Sequence, residues 1–104
     1  KDTLVVWMGE FGRTPRINLL GGRDHWPQGW TAAVAGTGLA GGTVVGKTSD
    51  DGTEIVDRPV PVADLFATLA TALGIDPAKE NLTGNGRPIA IVDQGSPIQE
   101  LLGG

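Results

Sequence analysis

The first thirty residues contain a carboxylate and an imidazole that could act together on a metal ion or an anion. Glu10 lies just after an apolar run, and His25 is the only histidine of the chain. Carboxylate oxygens and neutral imidazole nitrogens both bind divalent cations, so the pair predicts one shared site. Asp24 could be a further ligand, a support for the imidazole, or a cap for the loop. As an alternative, Glu10 pairs with Arg13 or Arg16 at the surface, and the histidine is an ordinary packed or solvated side chain.

Three arginines follow in the same stretch of an otherwise acidic chain. Arg13, Arg16 and Arg23 fall within eleven residues. Planar guanidinium groups suit bidentate binding of phosphate or sulfate oxygens, so we predict an anion site here. Trp26 and Trp30 could line that site or hold the loop against the core. The alternative for each arginine is a solvated loop charge.

Composition excludes several classes of protein. The 104 residues carry a net charge of −4, which argues against a nucleic-acid binder because phosphate neutralisation needs a basic face. The sequence has no cysteine, which excludes disulfides, thiolate zinc sites and a cysteine nucleophile. No apolar run approaches the roughly 20 residues that span a bilayer, so we expect no membrane span. Residues 1–30 sum to a charge of +1 and residues 31–104 to −5, so the candidate chemistry lies in the less acidic part.

The elements around the candidate residues predict an α/β fold. Thr3–Met8 is typical of a central strand buried on both faces, and ligands in such sheets bind beyond the carboxyl ends of strands. A central strand needs neighbours on both sides, so the chain is expected to be the C-terminal part of a larger domain. Residues 13–30 show no strand or helix period and predict a long functional loop.

The remainder alternates short strands with helices. The apolar stripe of residues 62–73, with Asp64 in its first turn and Gly74 beyond its end, predicts the main helix. The other predicted elements are strands at 31–35, 43–46 and 89–92, an acidic hairpin at 47–58 turning at Asp51-Gly52, and a short helix opened by a capping box at Ser96–Gln99.

Two nucleotide-binding motifs occur in the sequence but lack the context they need. Residues 36–41 match a dinucleotide-binding pattern, and residues 41–48 match a phosphate-binding loop. Both patterns work only where the glycine turn leads into a helix whose free N–H groups meet the phosphate. A β-branched segment follows the first motif and a turn follows the second. We therefore interpret these glycines as turns between short strands.

Two segments carry a resemblance to a known family. Thr-Leu-Val-Val-Trp-Met-Gly-Glu-Phe-Gly-Arg-Thr-Pro at 3–15 and Gly-Arg-Asp-His-Trp-Pro at 22–27 closely resemble a sulfatase-like bacterial family, domain of unknown function 1501, in its C-terminal part. That family is related to the alkaline phosphatase and sulfatase superfamily. Residues 31–42 look like the superfamily's strand and glycine turn after its last His ligand, and residues 58–75 look like its late helix.

The resemblance implies a fold and an activity. The chain would be the C-terminal portion of a single alkaline-phosphatase-like three-layer sandwich whose N-terminal half is absent. The superfamily hydrolyses phosphate or sulfate esters with a Ser, Thr or formylglycine nucleophile and one or two divalent metals. The nucleophile is expected upstream, so no catalytic nucleophile is predicted in this segment, and the chain alone is predicted to be inactive. Its implied partners are the missing half and an anionic ester.

The resemblance also assigns residues and a location. Glu10 falls where the superfamily usually has an Asp-His ligand pair, and His25 falls where its final His ligand lies. Gly-Glu-Phe-Gly replaces that pair, so one ligand is changed and one is missing. The implied ion is zinc, calcium, magnesium or manganese, and the implied location is the bacterial periplasm or cell surface. The alternative is a non-catalytic exported binding or structural protein of the same fold with a degenerate metal site.

Overall fold

The chain has a mixed fold of short strands and one α-helix in residues 2–103, the part that its computed structural model describes. The strands pair as four two-stranded sheets, β1 with β4, β2 with β3, β5 with β6 and β7 with β8. In chain order the elements are β1 (Leu4–Trp7), β2 (Gly12–Arg13), β3 (His25–Trp26), β4 (Ala33–Gly36), β5 (Lys47–Thr48), β6 (Ile55–Asp57), α1 (Val62–Ala72), β7 (Glu80–Leu82), β8 (Pro88–Ala90) and a 3-10 helix at Gln99–Leu101. No helix among these residues is long and apolar enough to cross a bilayer.

The contacts divide the chain into two compact units. Residues 2–5, 35–43 and 60–103 form the first, which we call the helical unit. Residues 6–34 and 44–59 form the second, which we call the loop unit. All the candidate site residues lie in the loop unit.

The helical unit is built on α1, and the helix prediction is confirmed. Asp64 lies in the first turn, and Gly74 follows the helix in the left-handed region at φ +80°. One face of the helix is buried, and Thr68 on that face is fully buried. The Thr68 hydroxyl donates to the Asp64 carbonyl at 2.7 Å and accepts from the Ile98 N–H at 2.8 Å. The helix is therefore joined to the C-terminal segment through a buried hydroxyl.

The prediction of a strand at 3–8 is confirmed, but the prediction that it is buried on both faces is wrong. Val5 is 56% exposed and Trp7 is 79% exposed. Within residues 2–103, β1 has β4 as its one strand partner, and the pair forms a sheet of two strands. A two-stranded sheet leaves apolar side chains uncovered, since it takes further strands or packed helices to bury both faces.

Other elements differ from the predictions in detail. The strand expected at 43–46 is wrong: Gly46 is left-handed at φ +86°, and the strand begins after it as β5. The hairpin at 47–58 is confirmed. The predicted strands at 31–35 and 89–92 exist as β4 and β8 with shifted ends, and β7 was not predicted.

The C-terminal capping box is also wrong. The N–H of Ser96 donates to the Asp64 carboxylate at 3.0 Å, and Ile98 is the residue that precedes the helical turn. The turn itself is a 3-10 helix that has no side-chain cap. A tertiary hydrogen bond from α1 thus takes the place of the local one that the pattern indicated.

Candidate functional site

A two-residue antiparallel ladder, β2–β3, brings the ends of the predicted loop together. Gly12 lies opposite Trp26, and Arg13 lies opposite His25. Gly12 is buried, and a Cβ atom there would lie 2.8 Å from Trp30 Cβ and 2.9 Å from the Trp26 carbonyl oxygen. The segments around Gly12 and residues 26–30 can approach this closely only because position 12 has no side chain.

The ladder lies beside a cluster of three side chains, which we call the ring cluster: Phe11, Arg13 and His25. The Phe11 and His25 ring centroids are 4.0 Å apart with 35° between the ring planes. The Arg13 guanidinium carbon lies 5.0 Å from the centroid of the same Phe11 ring, within cation–π range. The phenyl ring therefore contacts both the imidazole and the guanidinium.

His25 in this cluster is exposed, and its ring makes no hydrogen bond within residues 2–103. Stacking on Phe11 restrains the orientation of the ring but does not use either nitrogen. Both nitrogens thus stay available to a ligand, as acceptor or donor according to the tautomer.

Arginine side chains hold the loop between β2 and β3. Arg23 Nη1 donates to the carbonyl oxygens of Thr14 and Pro15 at 2.8 and 2.7 Å. Arg13 Nη1 donates to the Arg23 carbonyl at 3.1 Å. Each of these guanidinium groups has further N–H donors beyond the one nitrogen used here, so positioning and anion binding are compatible. Arg16 is exposed, and its guanidinium makes no hydrogen bond or ion pair with the described chain.

The two candidate carboxylates, Glu10 and Asp24, have different surroundings. Glu10 is exposed and forms no ion pair within residues 2–103, so the expected alternative of a pair with Arg13 or Arg16 is wrong. Asp24 Oδ1 accepts from Asn18 Nδ2 at 3.0 Å, which matches the loop-cap interpretation of that residue. Its other oxygen makes no described hydrogen bond.

The candidate metal ligands do not make up a complete site by themselves. Among the described residues, no three His, Cys, Asp or Glu side chains form a group that could hold a metal ion. Structural and catalytic zinc sites use at least three protein ligands, and harder cations take more. Glu10, Asp24 and His25 would therefore need donors from outside the described residues, and the metal site stays a prediction.

The indole of Trp26 faces inward. Its Nε1 is buried and has no hydrogen-bond partner in the described part of the chain. Because that N–H is buried, Trp26 can offer an anion the edge of its ring but not its donor. The interpretation of this tryptophan as a residue that holds the loop fits the same geometry.

Sequence reasoning missed two residues that organise the site. Phe11 contacts both other members of the ring cluster. The Asn18 side chain accepts a hydrogen bond from the Gly22 N–H and so closes the loop. Phe11 and Arg13 are two residues apart, the spacing that puts side chains on one face of a strand. Asn followed by Leu-Leu-Gly-Gly is a turn signal that could have indicated Asn18.

The second hairpin of the loop unit holds a carboxylate, Asp51, whose pKa is clearly shifted. Hydrogen bonds from the Thr53 and Ser49 hydroxyls and from the Thr53 N–H lower the pKa of Asp51 from 3.8 to about 2. Gly52, at φ +76°, completes the predicted Asp51-Gly52 turn. These bonds organise a hairpin loop and do not involve the ring cluster.

One comparison with known proteins gives a match. Residues 1–102 match a family described as "Protein of unknown function (DUF1501)". The chain belongs to this family. A search of curated proteins and a search of solved structures each gave no match. Membership confirms the family that the motifs at 3–15 and 22–27 indicated, while the relation to sulfatases stays a prediction.

Proposed function

We propose that this chain, a DUF1501 segment, supplies anion-binding side chains and candidate metal ligands to a hydrolase of phosphate or sulfate esters. The observation that carries the proposal is the ring cluster, where an exposed imidazole and a guanidinium share one phenyl ring. An imidazole beside a guanidinium offers an oxyanion two kinds of donor in one place. The resemblance to the alkaline phosphatase and sulfatase superfamily supports the same class of substrate.

Arg13, Arg16 and Arg23 are the proposed anion clamps. Within residues 2–103, only Nη1 of Arg13 and of Arg23 donates to backbone carbonyls, and these bonds orient the two side chains. The remaining N–H groups of each guanidinium can bind an ester oxyanion. Arg16 is unengaged within the described residues and can turn toward a ligand. Trp26 follows His25 in β3 and lies opposite Gly12, and in this proposal its ring supplies apolar surface near the site.

A divalent metal belongs to the proposal only together with ligands from elsewhere. Glu10 and His25 are the first candidates because neither side chain makes a hydrogen bond within residues 2–103, and Asp24 has one oxygen free of the Asn18 amide. Zinc, calcium, magnesium or manganese would act there as a Lewis acid on an ester oxygen. No step of the reaction is assigned to it, because these three residues are not a complete site.

The nucleophile, the complete sandwich and the location belong to the same proposal. By the resemblance, the nucleophile and the first metal carboxylates come from a segment that precedes this one in an alkaline-phosphatase-like three-layer sandwich. The protein would then work in the bacterial periplasm or at the cell surface. The 104 residues alone are expected to bind an anion without hydrolysing an ester.

A non-catalytic binding protein of the same fold is the second candidate. Phe11 stands where the superfamily usually has a histidine ligand, and its ring packs against His25. A ligand position occupied by a stacking ring favours binding over metal chemistry. A nucleophile and carboxylate motif at an upstream strand end would favour the enzyme, and its absence would favour the binder.

The test combines binding with turnover. We expect calorimetry to show that inorganic phosphate or sulfate binds the chain, and that Arg13→Gln weakens binding roughly fivefold or more while Arg87→Gln, an exposed arginine in the helical unit, does not. Aryl phosphates and aryl sulfates, with each divalent metal in turn, should give no product. Absence of anion binding would contradict the proposal, and turnover lost in His25→Ala would contradict the expectation that the nucleophile lies elsewhere.

A further inference from the structure

The loop between β2 and β3 projects an apolar tip, which we define as residues 17–22. Leu19 is fully exposed and Leu20 is 97% exposed, the largest exposures of leucines in the described chain. Ile17 beside them is 50% exposed. Exposed leucines are ordinary when single, whereas an adjacent exposed pair at a loop end is a candidate contact surface for an apolar partner.

Hydrogen bonds hold the tip in a defined turn. The Asn18 side-chain oxygen accepts from the N–H groups of Leu20 and Gly22, each at 3.0 Å. The Asn18 N–H donates to the Gly22 carbonyl at 2.8 Å, and Gly21 is left-handed at φ +80°. These bonds close a tight turn that points two leucines away from their own unit. A preformed turn loses little conformational freedom when it enters an apolar phase.

Basic residues flank this tip in the sequence. Residues 13–24 hold three arginines and one aspartate, a net charge of +2 in a chain of net charge −4. Arg16 and Arg23 flank the tip directly in the sequence, and Arg16 has no partner within the described residues. An apolar tip flanked by arginines is complementary to a surface that is apolar inside and anionic outside.

We propose that this tip docks the protein on an anionic lipid surface. Leu19 and Leu20 enter the acyl region, and Arg16 and Arg23 bind headgroup phosphates. Interfacial binding of this kind joins buried apolar area with attraction to anionic lipid. The inference goes beyond ester hydrolysis and does not need it, since the leucines have no role in the ring cluster.

The first experiment is vesicle co-sedimentation of the whole chain. Vesicles of phosphatidylglycerol and phosphatidylcholine in equal amounts should bind it, and pure phosphatidylcholine should bind it much more weakly. The double variant Leu19→Ser/Leu20→Ser should weaken binding by roughly tenfold or more. Arg16→Gln should weaken it about fivefold, the effect of one arginine at an anionic surface.

Matched controls separate the tip from general stickiness. Leu82→Ser removes a leucine that is 73% exposed on β7, and Arg87→Gln removes an exposed arginine of the same unit. Neither should change sedimentation by more than the scatter of the assay. Equal losses in these controls and in the tip variants would overturn the proposal.

A label keeps the proposal testable if the double variant fails to fold. The chain has no cysteine, so Leu20→Cys accepts one environment-sensitive fluorophore at a single site. Emission should shift to the blue with phosphatidylglycerol vesicles, and the same label at Leu82→Cys should not respond. No response at position 20 would overturn the proposal.

The outcomes also distinguish this inference from the proposed function. Inorganic phosphate binding should survive Leu19→Ser/Leu20→Ser, and vesicle binding should be lost. If the tip instead joins two copies, sedimentation velocity will show a dimer that the double variant abolishes without any lipid binding, and the lipid proposal is wrong.

Discussion

The helical unit and the loop unit hold their structure by different means. In the helical unit, a buried helix face and the fully buried Thr68 and Ile98 supply the order. In the loop unit, exposed arginine side chains and the half-buried Asn18 side chain bond to backbone groups and hold the loop. A buried core leaves few polar groups for a ligand, whereas a loop held by polar side chains keeps charged groups at the surface. The candidate site residues therefore lie in the unit with the smaller buried core.

The largest expected effect tests how the β2–β3 ladder keeps the ring cluster. Gly12→Ala places a Cβ against the Gly29 carbonyl and the Trp30 side chain, and overpacking of this kind costs about 3 kcal/mol. Denaturant unfolding followed by tryptophan emission measures it. Gly22→Ala is the control, because its Cβ would meet Asn18 at an ordinary 3.7 Å and should change stability by less than about 1 kcal/mol. Equal effects of the two would contradict the close-approach argument.

A second change tests the buried connection of the helical unit. Thr68→Val keeps the side-chain shape but leaves the Ile98 N–H without its acceptor, at a cost of about 1–3 kcal/mol. Thr71→Val is the control, since that hydroxyl bonds only to the Ala67 carbonyl of its own helix and the residue is exposed. Chemical denaturation should show a loss for the first variant and little change for the second. A stable Thr68→Val protein would show that packing alone joins the helix to the C-terminal segment.

These two units also differ in how far the sequence predicts them. The period of residues 62–73 predicts α1 almost to its ends, because an amphipathic helix is specified by its own residues. The turn at Asp51-Gly52 is also predicted, because a turn of this type is specified by its own residues. The β2–β3 ladder is not, since it depends on a two-residue pairing across a loop and on the absence of a side chain at Gly12.

The candidate site also combines features that the sequence predicts with features that it does not. Residue types alone indicate His25 and the arginines as candidates. The stacking of Phe11 on His25 is a tertiary contact, which no local pattern specifies. The Asn18 turn is local, so its turn signal could have indicated it. The exposure of β1 could not be predicted either, since its apolar run is typical of a strand covered on both sides.

Phe11→Leu tests whether the phenyl ring positions the proposed anion site of the loop unit. Leucine keeps apolar bulk but removes the ring that positions both His25 and Arg13. Aromatic and cation–π contacts of this kind contribute about 1 kcal/mol, so stability should fall slightly and phosphate affinity about fivefold. Calorimetric titration beside Phe66→Leu, an exposed phenylalanine of α1, checks it. An unchanged affinity in Phe11→Leu would mean that the phenyl ring does not position the anion site.

The smallest effect concerns pH and the hairpin at Asp51. The pKa of Asp51 is about 2 in the folded chain and near 3.8 when unfolded, so its hydrogen bonds favour the folded state above about pH 4. That contribution is lost as the pH falls from about 4 to about 2. Carboxyl NMR titration should give the low value, and Asp51→Asn should remove this part of the acid dependence. A midpoint near 3.8 in the folded chain would contradict the hairpin geometry.

The sole imidazole of the chain reports directly on whether His25 and Arg13 bind one anion. Because His25 is the only histidine, its ring gives a single set of proton and nitrogen NMR signals. Titration with inorganic phosphate should shift those signals in a saturable way, with the same midpoint as the Arg13 side-chain signals, and Arg13→Gln should weaken the response. Ring signals that stay fixed while phosphate binds elsewhere on the chain would contradict the claim that His25 and Arg13 serve one anion.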